Sequence, residues 1–358
     1  MKNCDVCIVG GGAAGLAAAA SLDDRIKVCI VEKNKIPGRK LAATGGGRCN
    51  ITNEACAGKD DVLDFFRALG LETYMDSQGR YFPYSNQASD VVKTLTDAAR
   101  SRGTDILTEF AVTGLVSKGD RFLVSGTEQT IRAKTVVLAS GGKAAPHLGT
   151  TGDGYALASK LGHSIEKLYP VLTGIECGDF RDIKGTRARG KAGLYRDGRL
   201  LRQEQGEIQF TRDGISGICI FNLTLEIRAG QGQSLEEALS HYSIHLDLAP
   251  DFTEAQLRER QHSFGILSAR LAEKVGIGQI KDWRLPVMGV KGWKNAQCTA
   301  GGIALPEIDG KTMESKLVPG LYFAGEIIDY QGPCGGFNLQ NAWETAIKAA
   351  ETINERMP

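Results

Sequence analysis

The chain has 358 residues, 43 basic against 42 acidic side chains and a formal net charge of +1, with 42% hydrophobic and 24% charged residues. That balance excludes a disordered chain, which needs low hydrophobicity with high net charge, and it argues against nucleic-acid binding driven by bulk charge. The length allows two or three domains, because single cores stop growing at about 250–300 residues.

Cys4 to Val9 is a short apolar run suited to a buried parallel strand. A glycine turn, an alanine-rich stretch from Leu16 to Leu22 and a second apolar run, Ile26 to Val31, follow it, ending at Glu32. This is a βαβ unit. Leu63–Leu69 and Asp90–Arg102 carry apolar residues at helical spacing. Asp105–Val116 and Arg121–Thr127 read as a strand pair around Lys118-Gly119-Asp120. Thr135–Leu138 is a further buried strand, ending at Ala139-Ser140-Gly141-Gly142, and Tyr155–Leu161 reads as a helix.

After Gly162 the texture changes to shorter, more polar β patterns. The expected division is 1–164 with 295–358 as a discontinuous dinucleotide domain, 165–230 with 280–294 as a β-rich substrate domain, and 231–279 as a small helical domain. In the last of these, Leu235–Leu246 and Thr253–Val275 read as helices, which sets His241 and His245 one turn apart. That spacing could hold a metal, but no third ligand is near, so no metal site is expected. Pro319–Gly325 is a strand with a glycine end, and Ala342–Arg356 a closing helix.

Gly10, Gly12 and Gly15 form a GxGxxG fingerprint in its strand–helix setting. Gly10 permits the tight turn, Gly12 lets the backbone approach a pyrophosphate, and Gly15 lets helix pack on strand. The helix start offers free N–H groups to phosphate, and Glu32 stands where an acid meets ribose hydroxyls. The basic, glycine-rich run from Arg39 to Asn50 suits a cofactor lying extended through the domain, with Arg39 and Lys40 against phosphate. It also suits a solvated surface loop. The Gly325-Glu326 pair fits ribityl contacts. The helix start after Gly335-Gly336 fits the pyrimidine edge of a flavin, or simply a helix capped near Asn338.

Nine cysteines at irregular spacing, no apolar run near ~20 residues and no signal-peptide pattern point to free thiols in a reducing cytoplasm, away from membranes. Cys49 and Cys56 are too far apart for the CxxxxC pair of the flavin disulfide reductases. Cys49 and Cys334 could still approach a flavin. No second GxGxxG is found, so the electron donor would bind transiently or be something other than NAD(P)H.

Together GGGAAGLAAA, GRKLAATGGGRCNITN, LASGGKAAPHLGTTGDGYALASKLGH, TAGGI and LYFAGEIIDYQGPCGGFNLQNAW give the chain a family likeness. It resembles the bacterial BaiN/RdsA-like family of NAD(P)/FAD-dependent oxidoreductases along nearly its whole length. The resemblance implies an α/β fold: a discontinuous Rossmann-like FAD-binding domain with an inserted β-barrel-like domain and a small helical domain. It implies FAD, NADH or NADPH as transient donor, and reduction of a conjugated double bond in a small, steroid-like enone. The fingerprint, the loop and the resemblance together make the expected FAD contacts Gly10, Gly12, Ala13, Ala14, Gly15, Glu32, Lys33, Arg39, Lys40, Thr44, Gly46, Gly47, Arg48, Cys49, Asn50, Val112 (at adenine), Ser140, Gly141, Gly325, Glu326, Gly336, Phe337, Asn338 and Leu339.

Three features depart from the family pattern: Ser140 stands in the usual ATGG, Phe337 in the usual GGYN, and the region between about 227 and 279 is short. Hydride delivered from reduced flavin to an enone leaves an enolate, which needs a donor at oxygen and an acid at carbon. Arg48, Asp329, Tyr330 and the backbone of Thr299–Gly302 are the candidates. A tRNA-modifying flavoenzyme and a non-catalytic flavin sensor remain alternatives. The sequence leaves the oligomeric state open.

Overall fold

The computed structural model describes residues 2–230 and 232–357. They form two compact units, Met1–Leu168 with Cys298–Pro358, and Tyr169–Gln297.

The first unit is built on a seven-stranded sheet. Its order is Asp105–Leu107, Val28–Val31, Lys2–Val9 and Thr130–Leu138, then Arg121–Ser125 and Gly114–Lys118. Leu321–Phe323 lies against the C-terminal half of Thr130–Leu138. The strands about Lys2–Val9 run parallel, with Val6 opposite Val28 on one side and Thr135 on the other. Val6, Cys7, Ile8, Cys29, Ile30, Val136 and Val137 are fully buried, as expected of a parallel sheet covered on both faces. Ala13–Ser21 and the closing helix Phe337–Arg356 pack against it, and Trp343 sits at the centre of the core. Its ring meets Phe66 edge-on at 5.1 Å, and its Nε1–H donates to the Ile51 carbonyl at 2.9 Å.

Three boundaries differ from the sequence reading. Asp105–Val116 is not one strand: Asp105–Leu107 pairs with Val28–Val31, whereas Gly114–Lys118 forms a hairpin with Arg121–Ser125 on the other side of the sheet. The run from Arg39 to Asn50 is not wholly loop, since Arg39–Ala42 is a helical turn and Thr44–Gly46 a 3-10 turn. The closing helix starts at Phe337, directly after the glycine pair.

The second unit is one antiparallel seven-stranded sheet. Its order is Trp283–Pro286, Tyr242–Asp247, Arg187–Arg196, Arg199–Phe210, Gly214–Ser216, Ile175–Glu176 and Gly289–Val290. Trp283–Pro286 and Gly289–Val290 are the two ends of this path. The expected helical domain is absent as a separate body. Leu235–Leu239, Glu254–Arg258 and Ala269–Lys274 are short helices whose Leu239, Leu257 and Leu271 join Ile244 and Leu246 in one core. Leu235–Leu246 is a helix only to Leu239, and its second half is a sheet strand.

Candidate functional site

At the end of Lys2–Val9 the chain turns at Gly10, whose N–H donates to the Val31 carbonyl at 2.9 Å. Gly10 has φ +109°, and a Cβ there would sit 2.5 Å from the Ala139 carbonyl oxygen. A Cβ at Gly15 would sit 1.9 Å from the Gly10 carbonyl oxygen, so helix and turn touch backbone to backbone. A Cβ at Gly12 meets nothing within 4 Å. Two of the three glycines are thus fixed by packing, and the third faces open space, as phosphate access requires.

The helix Ala13–Ser21 begins at Gly12 with no side-chain cap and no acid in its first turn. Its first N–H groups are therefore left for a ligand, at the positive end of the helix dipole. Glu32 is buried beside them. Its Oε2 accepts the Gly11 N–H at 2.9 Å, and its Oε1 accepts the Asn34 N–H at 2.8 Å and the Asn34 side-chain amide at 2.6 Å. The acid is held in place by backbone, with lone pairs to spare for hydroxyls.

The basic loop is placed differently from the sequence reading. Lys40 does not stand free for phosphate: its Nζ is 2.5 Å from Glu326 Oε2. Glu326 Oε1 accepts the Thr299 N–H at 2.9 Å, so both oxygens of the expected ribityl ligand already accept. Lys33 is paired to Asp153 at 2.5 Å and reaches Thr151. Arg39 is exposed, and donates to Asn34 Oδ1 at 2.8 Å and to the His147 carbonyl at 3.1 Å with no carboxylate partner. It keeps its charge for an anion.

Thr44 is tied to the Leu41 carbonyl, and Gly45, Gly46 and Gly47 follow with φ +58°, +68° and +87°. Only glycine runs three left-handed residues without strain. Added Cβ atoms at Gly46 and Gly47 would meet nothing within 4 Å. Cys49, also left-handed at +64°, is fully buried, and burial pushes its thiol up to about 12. It is neutral near pH 7, which removes it as a redox thiolate. Arg48 lays its guanidinium over the Phe82 ring, 4.7 Å from the centroid.

Among the described residues, three buried polar atoms have no hydrogen-bond partner in this region: Asn50 Oδ1, Ser140 Oγ and Gln331 Oε1. Such atoms are rare in folded proteins and mark a missing partner. With the open Gly12, Gly46 and Gly47 positions they fit a bound dinucleotide. Gln331 was missed from sequence, where no motif singles it out.

The distal half is assembled by the closing helix. Gly325, at φ +79°, brings its Cα so near the first helix that a Cβ would be 2.8 Å from Ala14 Cβ. Gly336, at φ +113°, would collide with the Thr52 carbonyl, 2.5 Å away. Asn338 does not cap its own helix. Its Oδ1 accepts the Gly332 N–H and its Nδ2 donates to the Gly332 carbonyl, each at 2.9 Å, which folds Gln331–Gly336 back over the helix start beside Phe337 and Leu339. Ser140 and Gly141 end Thr130–Leu138, with Gly141 at φ +74°. Val112 is half-buried in the connection before Gly114–Lys118.

The expected proton donors are partly committed. Asp329 gives its N–H to Ile303 at 3.1 Å and its side chain is half-buried. Burial raises the Tyr330 phenol above its ordinary value, with Cys56 and Glu344 adding to it. Thr299 is fully buried and its Oγ1 accepts N–H bonds from Lys143 at 2.7 Å and Ala144 at 3.0 Å. Its own N–H is taken by Glu326, so it cannot hold a substrate carbonyl as the TAGG reading expected. In the second unit, His241 and His245 share no helix. His241 pairs with Asp197 at 2.8 Å, while His245 lies in a strand.

A family model described as HI0933-like protein Rossmann domain matches residues 4–60 and 58–352. The chain is 32% identical to the 3-dehydro-bile acid delta(4,6)-reductase of Clostridium scindens, with 98% of each chain covered. It is 26% identical to the ribosomal RNA dihydrouridine synthase of Escherichia coli, over 99% of this chain and 98% of that one. A solved 3-ketosteroid-delta4-(5alpha)-dehydrogenase from Rhodococcus jostii RHA1, in complex with 4-androstene-3,17-dione, shares the fold. Its TM-score is 0.54 at 13% identity, with 99% of this chain and 97% of that one covered. Among the described residues no helix is long and apolar enough to cross a membrane.

Proposed function

Since the chain belongs to the HI0933-like Rossmann family of flavoprotein oxidoreductases, we propose that it reduces a carbon–carbon double bond conjugated to a carbonyl, with FAD as cofactor and NADH or NADPH as transient donor. The observation that carries this reading is the full-length similarity to two reductive enzymes of one chemistry. A Δ4,6 double bond beside a 3-keto group and the 5,6 double bond of uracil are both conjugated to a carbonyl. The uncapped helix at Gly12, the acid at Glu32 and the unpartnered atoms of Asn50, Ser140 and Gln331 support FAD.

When bound, the reduced flavin would supply the hydride. The chain's own residues have the remaining work. Arg39 and the first turn of Ala13–Ser21 meet pyrophosphate charge. Asn50, Ser140 and Gln331 gain partners. Tyr330, a phenol protonated at neutral pH and pushed further up by partial desolvation, holds a proton at Oη for the reduced product.

The substrate we propose is a small, flat enone of steroid type, from the bile-acid reductase similarity. A uracil base in RNA is the second reading, from the dihydrouridine synthase similarity. An anaerobic absorbance titration tests both. Purified protein should show oxidised flavin bands that NADH or NADPH bleaches, and a dehydro-steroid should restore them. Restoration by RNA alone selects the second reading. Absence of flavin bands even after FAD is supplied refutes both.

A further inference from the structure

The second unit carries three side chains wired in series, on the opposite face of its sheet from the core. Tyr242, Ile244 and Leu246 point inward, while Ser243, His245 and Asp247 point outward. Ser243 Oγ lies 3.2 Å from His245 Nε2. On the other side of the same ring, His245 Nδ1 lies 3.0 Å from Asp282 Oδ1.

The order of these contacts fixes the protons. Arg284 Nε donates to Asp282 Oδ2 at 2.7 Å, and that pairing, helped by His245, holds the Asp282 carboxyl below the usual carboxylate range. An ionised carboxylate only accepts, so the imidazole carries its proton on Nδ1. Nε2 is then an acceptor, and the Ser243 hydroxyl is the donor to it.

The ring is held as well as wired. Tyr195 stacks on His245 with centroids 4.0 Å apart and planes 25° apart. Gly193, the register partner of His245, makes room for that stack: a Cβ there would lie 2.9 Å from the Tyr195 ring. The register partner of His245 on the other side is Arg284, which places a guanidinium on the same outward face.

We propose that Ser243, His245 and Asp282 form an acyl-transfer site on the second unit that accepts carboxylic esters. In the first step the Ser243 Oγ–carbonyl bond forms and its proton passes to His245 Nε2. The ester C–O bond then breaks, and the leaving alcohol takes that proton. Water attacks the acyl-serine by the same route, releasing the carboxylic acid and restoring Ser243. No electron is gained or lost. The site lies on a sheet face where Tyr195 and Pro286 are the register partners of Ser243.

The test uses the whole chain with a fluorophosphonate probe and p-nitrophenyl acetate. The parent should acquire one phosphonyl adduct, mapped to Ser243, and hydrolyse the ester above the solvent rate. Ser243→Ala should abolish both. His245→Gln should slow labelling about 100-fold, the contribution of a general base. Asp282 is a positioning residue: Asp282→Asn should slow labelling and Asp282→Glu should restore most of it. Each variant is compared with the parent by circular dichroism and thermal midpoint, so that a folding defect is seen as such. No labelling of a well-folded parent, an adduct on another residue, or equal rates in parent and His245→Gln would each overturn the proposal. None of these readouts depends on flavin.

Discussion

The ammonium of Lys40 and the carboxylate of Glu326, 286 residues apart in the chain, close to 2.5 Å. Lys40 comes from the turn after the second strand, and Glu326 from the segment that follows the last strand of the sheet. Glu326 also holds the Thr299 N–H, and Thr299 Oγ1 holds the Lys143 and Ala144 N–H groups. Three chain segments thus meet at one carboxylate, and a fourth joins them through Thr299. Lys40→Met should leave Glu326 with an unpaired charge and cost about 1–3 kcal/mol of stability, the usual penalty for a polar group that loses its partner. Lys40→Met/Glu326→Gln should recover part of that loss in a double-mutant cycle read by urea unfolding. Strict additivity of the two single changes would show that the pair contributes nothing.

Gly12 and Gly15 are three residues apart and should fail in opposite ways. Gly15→Ala drives a Cβ to 1.9 Å from the Gly10 carbonyl oxygen, and the helix must shift off the strand. Gly12→Ala adds a methyl to open space, at a residue whose φ of −85° any amino acid adopts. Gly15→Ala should lower the thermal midpoint of the apoprotein. Gly12→Ala should leave that midpoint unchanged and weaken FAD binding at least 10-fold in a fluorescence titration. Equal FAD affinity in Gly12→Ala and parent would remove the pyrophosphate from this turn.

The parallel half of the fold was legible because its short apolar runs stand in the order strand, glycine turn, helix, strand, acid, which identifies a βαβ unit where a single run would not. The second unit was harder to read. Leu235, Leu239, Tyr242 and Leu246 repeat at helical spacing, yet Tyr242, Ile244 and Leu246 alternate as a strand does. Both periods are present, and the strand wins because Tyr242–Asp247 pairs on both edges. The glycine cradle was readable from spacing alone. That Lys40 faces Glu326 rather than phosphate was not, because an ion pair across 286 residues leaves no local trace. Gln331 stayed hidden for a related reason: its carboxamide oxygen is singled out only by burial without a partner.

Asn50 should trade stability against cofactor. Its Oδ1 is buried without a partner, which costs the apoprotein free energy. Asn50→Leu should therefore hold or raise the apoprotein thermal midpoint while weakening FAD binding. If instead it lowers both, the carboxamide has a structural role and the unpartnered oxygen is not a cofactor contact.

Tyr330→Phe removes the proposed proton store and little else, because the ring can stay. The raised phenol pKa means that Tyr330 stays a donor into alkaline pH, so the parent's turnover should show no loss from this group across the neutral range. Tyr330→Phe should lower turnover about 100-fold with the bound-flavin spectrum intact. Full turnover in both Tyr330→Phe and Asp329→Asn would assign the proton to another group.

The buried thiols predict an alkaline limit to stability. Burial lifts Cys49 from an ordinary 9.0 to about 12, and Cys29 likewise to about 12. In the unfolded chain each thiol releases its proton near pH 9, while the folded chain keeps it. The unfolded state then binds fewer protons, and stability must fall as pH rises. The contribution is fully present below pH 9 and is lost between about pH 9 and 12, at about 1.4 kcal/mol per pH unit for each thiol. Urea unfolding at pH 8, 9 and 10 measures it, and Cys49→Ala should flatten the slope by the share of one thiol, whatever cavity it leaves. Alkylation closes the argument from the other side. Native Cys49 should resist iodoacetamide at pH 8, where a free thiol reacts readily. Rapid modification there would mean an accessible thiolate and would return Cys49 to the redox chemistry from which its burial removes it.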